Sequence, residues 1–191
     1  MRLLGLMVFF PSFFWVSLVV ASNDCNPNSP VTKDVLECAS SAYKRVDKKL
    51  NEQYRILVSG SKFPNKDLLL EGERAWIKYR DAHCNNVYKS IYPGEEAGIE
   101  KVGCLVSLAS SRFAELVYLE TGAVGDGFYS SLSIMNRIST KTREEILSYI
   151  ESLDQGSEES EYYKKNCELT LLAHAEEEML CQARMKFQVV R

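Results

Sequence analysis

The sequence lacks the patterns that mark a nucleic-acid or metal site. Its 191 residues carry a formal net charge of −3 at pH 7, and no segment concentrates lysine and arginine into a basic stripe. We therefore expect no nucleic acid among its partners. Only two histidines are present, they form no HxxxH pair, and no two cysteines form a CxxC pair. Because zinc sites usually show such spacings, we expect no bound metal.

Signals of catalysis are equally scarce. The sequence contains no GxSxG motif, no glycine-rich phosphate-binding loop and no recognisable grouping of serine with histidine. Its carboxylates cluster in residues 158–159 and 176–178, where adjacent helical residues point about 100° apart and do not face one bond. We expect a protein that is not an enzyme and that needs no cofactor.

The N-terminus has the pattern of a secretory signal peptide. Arg2 precedes an almost wholly apolar run over residues 3–20, and Ala21 offers a small residue for cleavage. An uncleaved membrane anchor is the alternative, because the run nearly reaches the length of a span. Pro11 within the run, and Asp24 where a basic stop would stand, disfavour that alternative. We expect removal of residues 1–21, a periplasmic or secreted protein, and no stable membrane insertion afterwards.

Six cysteines follow the predicted signal peptide, and an even number in an oxidising compartment is typical of disulfides. Fifteen pairings are possible, so the sequence alone does not fix the connectivity. Spacing favours three local pairs, each closing a loop worth about 3 kcal/mol: Cys25 with Cys38, Cys84 with Cys104, and Cys167 with Cys181. Asp24 directly before Cys25 argues against a lipoprotein, since lipid attachment requires a small residue there.

Apolar residues recur at three- and four-residue steps through most of the remaining chain, which predicts an all-α protein. The pattern predicts helices over residues 32–58, 66–90, 101–120 and 140–153, and a bent helix over 158–189. Gly122 is the predicted C-cap of the third helix, and Thr142 with Glu145 forms a capping-box pattern. The glycine-rich residues 122–127 mark the predicted boundary between a domain over 22–122 and a helical extension over 123–191.

The extension shows weak sequence similarity to part of the preceding domain. Tyr79 and Cys84 stand before an acidic stretch and Cys104, and Tyr163 and Cys167 stand before another acidic stretch and Cys181. One interpretation is that residues 123–191 are a degenerate second copy of part of the domain. The shorter cysteine spacing and the missing tryptophan favour an unrelated extension.

Three segments, in this order, resemble one known family. They are Cys38 with the motif LNxxY that begins at Leu50, the motif WxxYRDAxC over residues 76–84, and Cys104-Leu105 followed by Arg112 and Leu116. Over about residues 25–119, the chain resembles the LprI-like lysozyme-inhibitor domain of exported bacterial proteins. The motif WxxYRDAxC is the most specific part of the resemblance.

The resemblance implies a small antiparallel helical bundle with disulfides between Cys25 and Cys38 and between Cys84 and Cys104. It also implies a protein that blocks a lysozyme by non-covalent binding. Residues 123–191 lie outside it, and its namesake is a lipoprotein, whereas this chain lacks the lipid-attachment pattern. The alternative function is that of an envelope-associated structural or stress protein, which binds cell-wall components or another exported protein.

The motif residues are predicted to be structural. Trp76 and Tyr79 lie on the inward stripe of the second helix, and Tyr54 lies on the inward stripe of the first. The polar motif members are Asp47, Asn51 and Arg80. We expect Asp47 or Asn51 to hold Arg80 in a partly buried network between helices.

An acidic loop is the candidate partner-binding site. It comprises Pro93, Gly94, Glu95, Glu96 and Glu100, between two predicted helices that a disulfide would join. A braced loop loses little entropy on binding, and its charge complements a cationic enzyme with a carbohydrate cleft. An ordinary solvated loop is the alternative. The sequence indicates no oligomeric state.

Overall fold

The computed structural model describes residues 25–189, apart from residues 27, 61, 62, 64 and 126. The predicted signal peptide lies outside these residues. The described chain contains no strand, which confirms the all-α prediction. Its seven helices are α1 (Thr32–Ser59), α2 (Lys66–Ile91), α3 (Ala97–Thr121), α4 (Phe128–Ile138), α5 (Arg143–Glu151), α6 (Ser157–His174) and α7 (Glu178–Val189).

Side chains at the helix ends explain several boundaries. Asn65 caps α2, because its side-chain oxygen accepts a hydrogen bond from the Leu68 amide at 3.0 Å. Gly122 ends α3 in the left-handed conformation, with φ of 71°, as the sequence predicts. Thr142 and Glu145 form the predicted capping box at the start of α5.

Two features of the C-terminal extension differ from the predictions. The predicted bent helix over residues 158–189 is two helices, because Ala175 ends α6 with a positive φ of 54°. Helix α4 was not predicted. Only Phe128 and Leu132 of its 11 residues are buried, so its apolar stripe is too short to recognise.

The helices form a bundle built around the hairpin of α2 and α3. Helix α1 packs along α3, and α6 packs along α2. One core cluster includes Leu50 of α1, Trp76 of α2, Leu116 of α3 and Tyr163 of α6. Residues on both sides of the predicted boundary therefore share a core, although residues 122–125 form no helix.

A second, smaller core lies within the C-terminal extension. It contains Phe128 and Leu132 of α4, Ile146 and Leu147 of α5, and Ala183 of α7. Helices α6 and α7 thus connect the two cores, since α6 packs on α2 and α7 packs on α5. The second-copy interpretation of the extension stays a prediction.

Three disulfides join the predicted pairs. Cys25 and Cys38 tie the entry segment to α1, Cys84 and Cys104 join α2 to α3, and Cys167 and Cys181 join α6 to α7. The described chain holds no free cysteine. Two of its helical hairpins, α2–α3 and α6–α7, are therefore each closed by a covalent link.

Candidate functional site

The turn between α2 and α3 forms an exposed acidic tip, which comprises residues 92–96. Every residue of the tip is exposed, including Glu95 and Glu96. The Gly94 amide donates to the Ile91 carbonyl at 2.8 Å, and the Ala97 amide donates to the Gly94 carbonyl at 3.1 Å. The tip is therefore a short hydrogen-bonded turn.

The predicted acidic loop was too long at its C-terminal end. Helix α3 begins at Ala97, so Glu100 lies in its first turn and not in a loop. Ala97 is buried, which fixes the start of the helix against the bundle. The negative side chain of Glu100 suits this position, because the N-terminus of a helix carries partial positive charge.

The turn requires glycine at position 94, because the Ile91 carbonyl lies close to the Gly94 backbone. A Cβ atom added at Gly94 would lie 2.9 Å from the Ile91 carbonyl oxygen, closer than real Cβ atoms come to other atoms. Any larger residue would therefore shift the backbone of the tip. Below the turn, the buried Cys84 and its disulfide to Cys104 hold the two helices together.

An aromatic pair that was not predicted from the sequence lies beside the acidic residues. The Tyr92 side chain is 65% exposed, and its ring lies 5.7 Å from the ring of Tyr88. Lys101 donates to the Asn85 side chain at 2.7 Å and lies over the Tyr88 ring. The exposed Tyr92 ring therefore packs against Tyr88, which Lys101 contacts in turn.

The aromatic motif residues pack in or against the first core, and the polar motif residues have other partners than predicted. Trp76 and Tyr79 are buried, as predicted. The expected contact of Arg80 with Asp47 or Asn51 is wrong. Arg80 instead binds Asp81 at 2.8 and 2.9 Å and the Tyr43 hydroxyl at 3.4 Å.

Helix α1 contacts Arg80 through Tyr43, and a local contact explains why Asp47 and Asn51 do not. The Asn51 amide donates to the Asp47 carboxylate at 3.0 Å and to its carbonyl at 2.8 Å, one turn away on the same exposed face. The Arg80 guanidinium also covers the Trp76 ring at 4.9 Å. Tyr54 is half-buried and packs against the first core.

A buried ionic network crosses the bundle, and the sequence did not predict it. Arg112 of α3 binds Glu73 of α2 at 2.9 Å and Asn166 of α6 at 2.7 Å. Asn166 in turn donates to Glu115 at 2.9 Å. The network therefore links α2, α3 and α6 through side chains that are almost fully buried.

Arg184 of α7 continues this network. It forms ion pairs with Glu115, and its Nε atom lies 2.9 Å from a Glu176 oxygen. The Tyr129 hydroxyl donates to the same Glu176 oxygen at 3.0 Å. Because donors surround these carboxylates, they are poorly placed to act as catalytic acids or bases.

The network lowers the pKa of Glu115. Burial alone would raise this pKa, but the positive charge of Arg184 and hydrogen bonds from Arg184, Gln188 and Asn166 outweigh that effect. The Glu115 carboxyl therefore stays ionised below its ordinary pKa of 4.5.

A pH dependence of stability follows from this shift. Above pH 4.5 Glu115 is charged in both states and its contribution is complete; as the pH falls further, the unfolded chain binds the proton first and the contribution is lost. We expect the difference in unfolding free energy between the wild type and Glu115→Gln to shrink steadily below pH 4.5. Urea unfolding at several pH values measures it, and a constant difference would contradict the assignment.

A polar cleft of about 530 Å³ opens at the other end of α3. Its lining includes Tyr118, Tyr129, Glu144, His174 and Glu177. The His174 ring donates from Nε2 to the carbonyls of Tyr118 at 2.8 Å and Leu119 at 3.2 Å. Within the described residues, no group of acidic, histidine and cysteine side chains is placed to hold a metal ion.

Comparison with known proteins identifies the family. The family described as "Lysozyme inhibitor LprI" matches residues 23–116 of this chain. An uncharacterized protein of Rhizobium meliloti (strain 1021) is 31% identical over 103 residues, which cover 47% of this chain and 74% of that protein. The chain belongs to the LprI lysozyme inhibitor family. No solved structure matches it.

The LprI match and the fold divide the chain differently. The matched residues 23–116 include α1, α2, the acidic tip and most of α3. Helices α6 and α7, which supply Asn166, Glu176 and Arg184 to the buried network, lie outside the match. In this LprI protein, the extension therefore completes the interior around Glu115.

Proposed function

We propose that the protein is an exported lysozyme inhibitor, which blocks its target by non-covalent binding through the acidic tip. Family membership supports the inhibitory role. The observation that carries the proposed site is the tip itself, in which Glu95 and Glu96 are exposed on a hairpin closed by Cys84 and Cys104.

The physical character of the tip suits a cationic partner. The turn is held by its own hydrogen bonds and by the disulfide below it, so little conformational entropy is lost on binding. Three exposed carboxylates, Glu95, Glu96 and Glu100, attract a positively charged protein and speed the encounter. The target is accordingly a lysozyme whose carbohydrate cleft is lined by basic residues.

The remaining features support binding in place of catalysis. The buried carboxylates Glu73, Glu115 and Glu176 are already paired with arginines, which leaves them poorly placed for acid–base chemistry. We propose that the protein acts in the periplasm or outside the cell after removal of residues 1–21. Three disulfides fit such an oxidising location.

Neutralising the tip tests the proposed site. We expect Glu95→Gln with Glu96→Gln to raise the inhibition constant about tenfold, equivalent to about 1.4 kcal/mol, because two attractive charges are lost. A turbidity assay of lysozyme activity on bacterial cell walls measures the inhibition constant.

Two exposed carboxylates at the opposite cleft provide the matched control. Glu144→Gln with Glu177→Gln removes the same charge from the same protein, and we expect the inhibition constant to change less than twofold. Equal effects of the two double variants would show that only net charge matters. An unchanged constant for the tip variant would remove the tip from the site.

The polar cleft favours one alternative function. It has the volume of a small-molecule site and carries hydroxyl, imidazole and carboxylate groups, which suit a cell-wall glycan or peptide. In that case the protein would be an envelope-associated structural or stress protein. Retention on purified peptidoglycan without inhibition of any lysozyme would favour this alternative.

A further inference from the structure

A groove of about 270 Å³ runs along the α2–α3 hairpin from the side of the acidic tip. His83 and Val87 line it on α2. Its α3 side is formed by Glu100, Gly103, Ser107 and Ser111. The groove begins at Glu100, which lies one helical turn from Glu96, so it is continuous with the acidic tip.

Gly103 lies in the second turn of α3, and no contact within the described chain requires a glycine there. A glycine inside a helix costs about 1 kcal/mol relative to alanine. A Cβ atom added at Gly103 would meet no atom within 4 Å. The φ angle of Gly103 is not positive, so the backbone does not require a glycine either. By contrast, a Cβ added at Gly72 would lie 3.2 Å from Leu169, where α2 packs on α6.

The missing side chain of Gly103 keeps the groove open. Gly103 is exposed and lies between Glu100, nearer the tip, and Ser107, one turn further along α3. A longer side chain at this position would project from the helix into the groove and not into the core. The residue therefore matters to the shape of this surface more than to the fold.

The lining has a distinct order of chemistry. The Glu100 carboxylate stands at the tip end of the lining, one turn from Glu96 of the tip, and the hydroxyls of Ser107 and Ser111 follow along α3. Val87 and the buried Leu108 provide an apolar floor. This order suits an extended chain segment that carries a basic side chain near the tip and backbone polar groups beyond it.

We propose that this groove is the second half of the partner-binding surface, and that it receives an extended loop bearing lysine or arginine on the cationic partner. The inference rests on the proposed function, because the partner is the enzyme that the tip binds. It adds that the contact extends from the tip along about three turns of α3.

Filling the groove tests the inference. We expect Gly103→Gln to bind lysozyme at least tenfold more weakly than the wild type, because the new side chain occupies the groove. Its melting temperature should equal or exceed that of the wild type, because a helical glycine has been replaced. Calorimetric titration with hen egg-white lysozyme, or with whichever lysozyme the wild type inhibits, gives the affinity, and circular dichroism gives the melting temperature.

A second glutamine on the same helix provides the control. Ala114 is exposed on α3 and does not line the groove, so Ala114→Gln should leave the affinity within twofold of the wild type. Equal affinities for the wild type and Gly103→Gln would overturn the groove and leave the tip in place. If the wild type itself binds no lysozyme, the proposed function fails and the groove proposal fails with it.

Discussion

Glu115→Ala should lower the free energy of unfolding by about 3–5 kcal/mol, because it removes one of the two carboxylates that pair with the buried Arg184 and leaves several buried donors without an acceptor. Glu115 and Arg184 are both almost fully buried, and Asn166 and Gln188 also donate to the same carboxylate. Alanine leaves these donors without the carboxylate that accepts from them. For a protein of this length, the loss corresponds to a fall in melting temperature of about 6–20 °C.

Thermal and urea unfolding measure this effect. The control is Glu52→Ala, which removes a carboxylate from an exposed pair with Lys48 at 3.9 Å and should change stability by less than about 0.5 kcal/mol. A loss of unfolding free energy below about 1 kcal/mol for Glu115→Ala would contradict the burial of the Glu115 carboxylate among its donors.

Replacing Cys84 and Cys104 with alanine should have the second large effect. The disulfide closes a loop with a sequence separation of 20, so its loss should lower the free energy of unfolding by about 3 kcal/mol. The same change frees the two helices beneath the acidic tip. We therefore expect weaker lysozyme inhibition as well, even at temperatures where the double variant remains folded.

The disulfide between Cys167 and Cys181 separates these two effects. Its sequence separation of 14 predicts a similar loss of stability, but it closes the hairpin of α6 and α7, away from the tip. Replacing both of these cysteines with alanine should leave inhibition by the folded protein unchanged. If both double variants inhibit equally well, the disulfide below the tip does not prepare it for binding.

Local signals account for the parts of the fold that the sequence predicts. The first three helices carry long apolar stripes. Gly122 marks the end of α3, and Thr142 marks the start of α5. The break after α6 has no such signal, because Ala175 is a strong helix former by type and yet adopts the left-handed conformation.

The partners in the buried network could not be predicted from local sequence patterns. The partners of Arg112 lie 39 and 54 positions away, and Arg184 lies 69 positions from Glu115. On a helical stripe, these charges are indistinguishable from solvated ones. The wrong partner for Arg80 has the same origin, because Asp47 and Asn51 satisfy each other within α1.

The candidate site was predicted in part for a similar reason. Turn residues and charge locate the acidic tip in the sequence, but the length of the turn depends on the packing of Ala97. The exposure of Tyr92 and the open groove at Gly103 depend on how α2 and α3 face each other. Neither the exposure of Tyr92 nor the groove at Gly103 can be predicted from the residue type alone.

The most direct test of the proposed function is a titration of active lysozyme with purified protein that comprises residues 22–191. We predict that activity on bacterial cell walls falls in proportion to added protein and returns at high salt, because salt screens the proposed electrostatic contact. Mass spectrometry should find both proteins intact. Full activity of chicken-type, goose-type and invertebrate-type lysozymes in the presence of excess protein would contradict it.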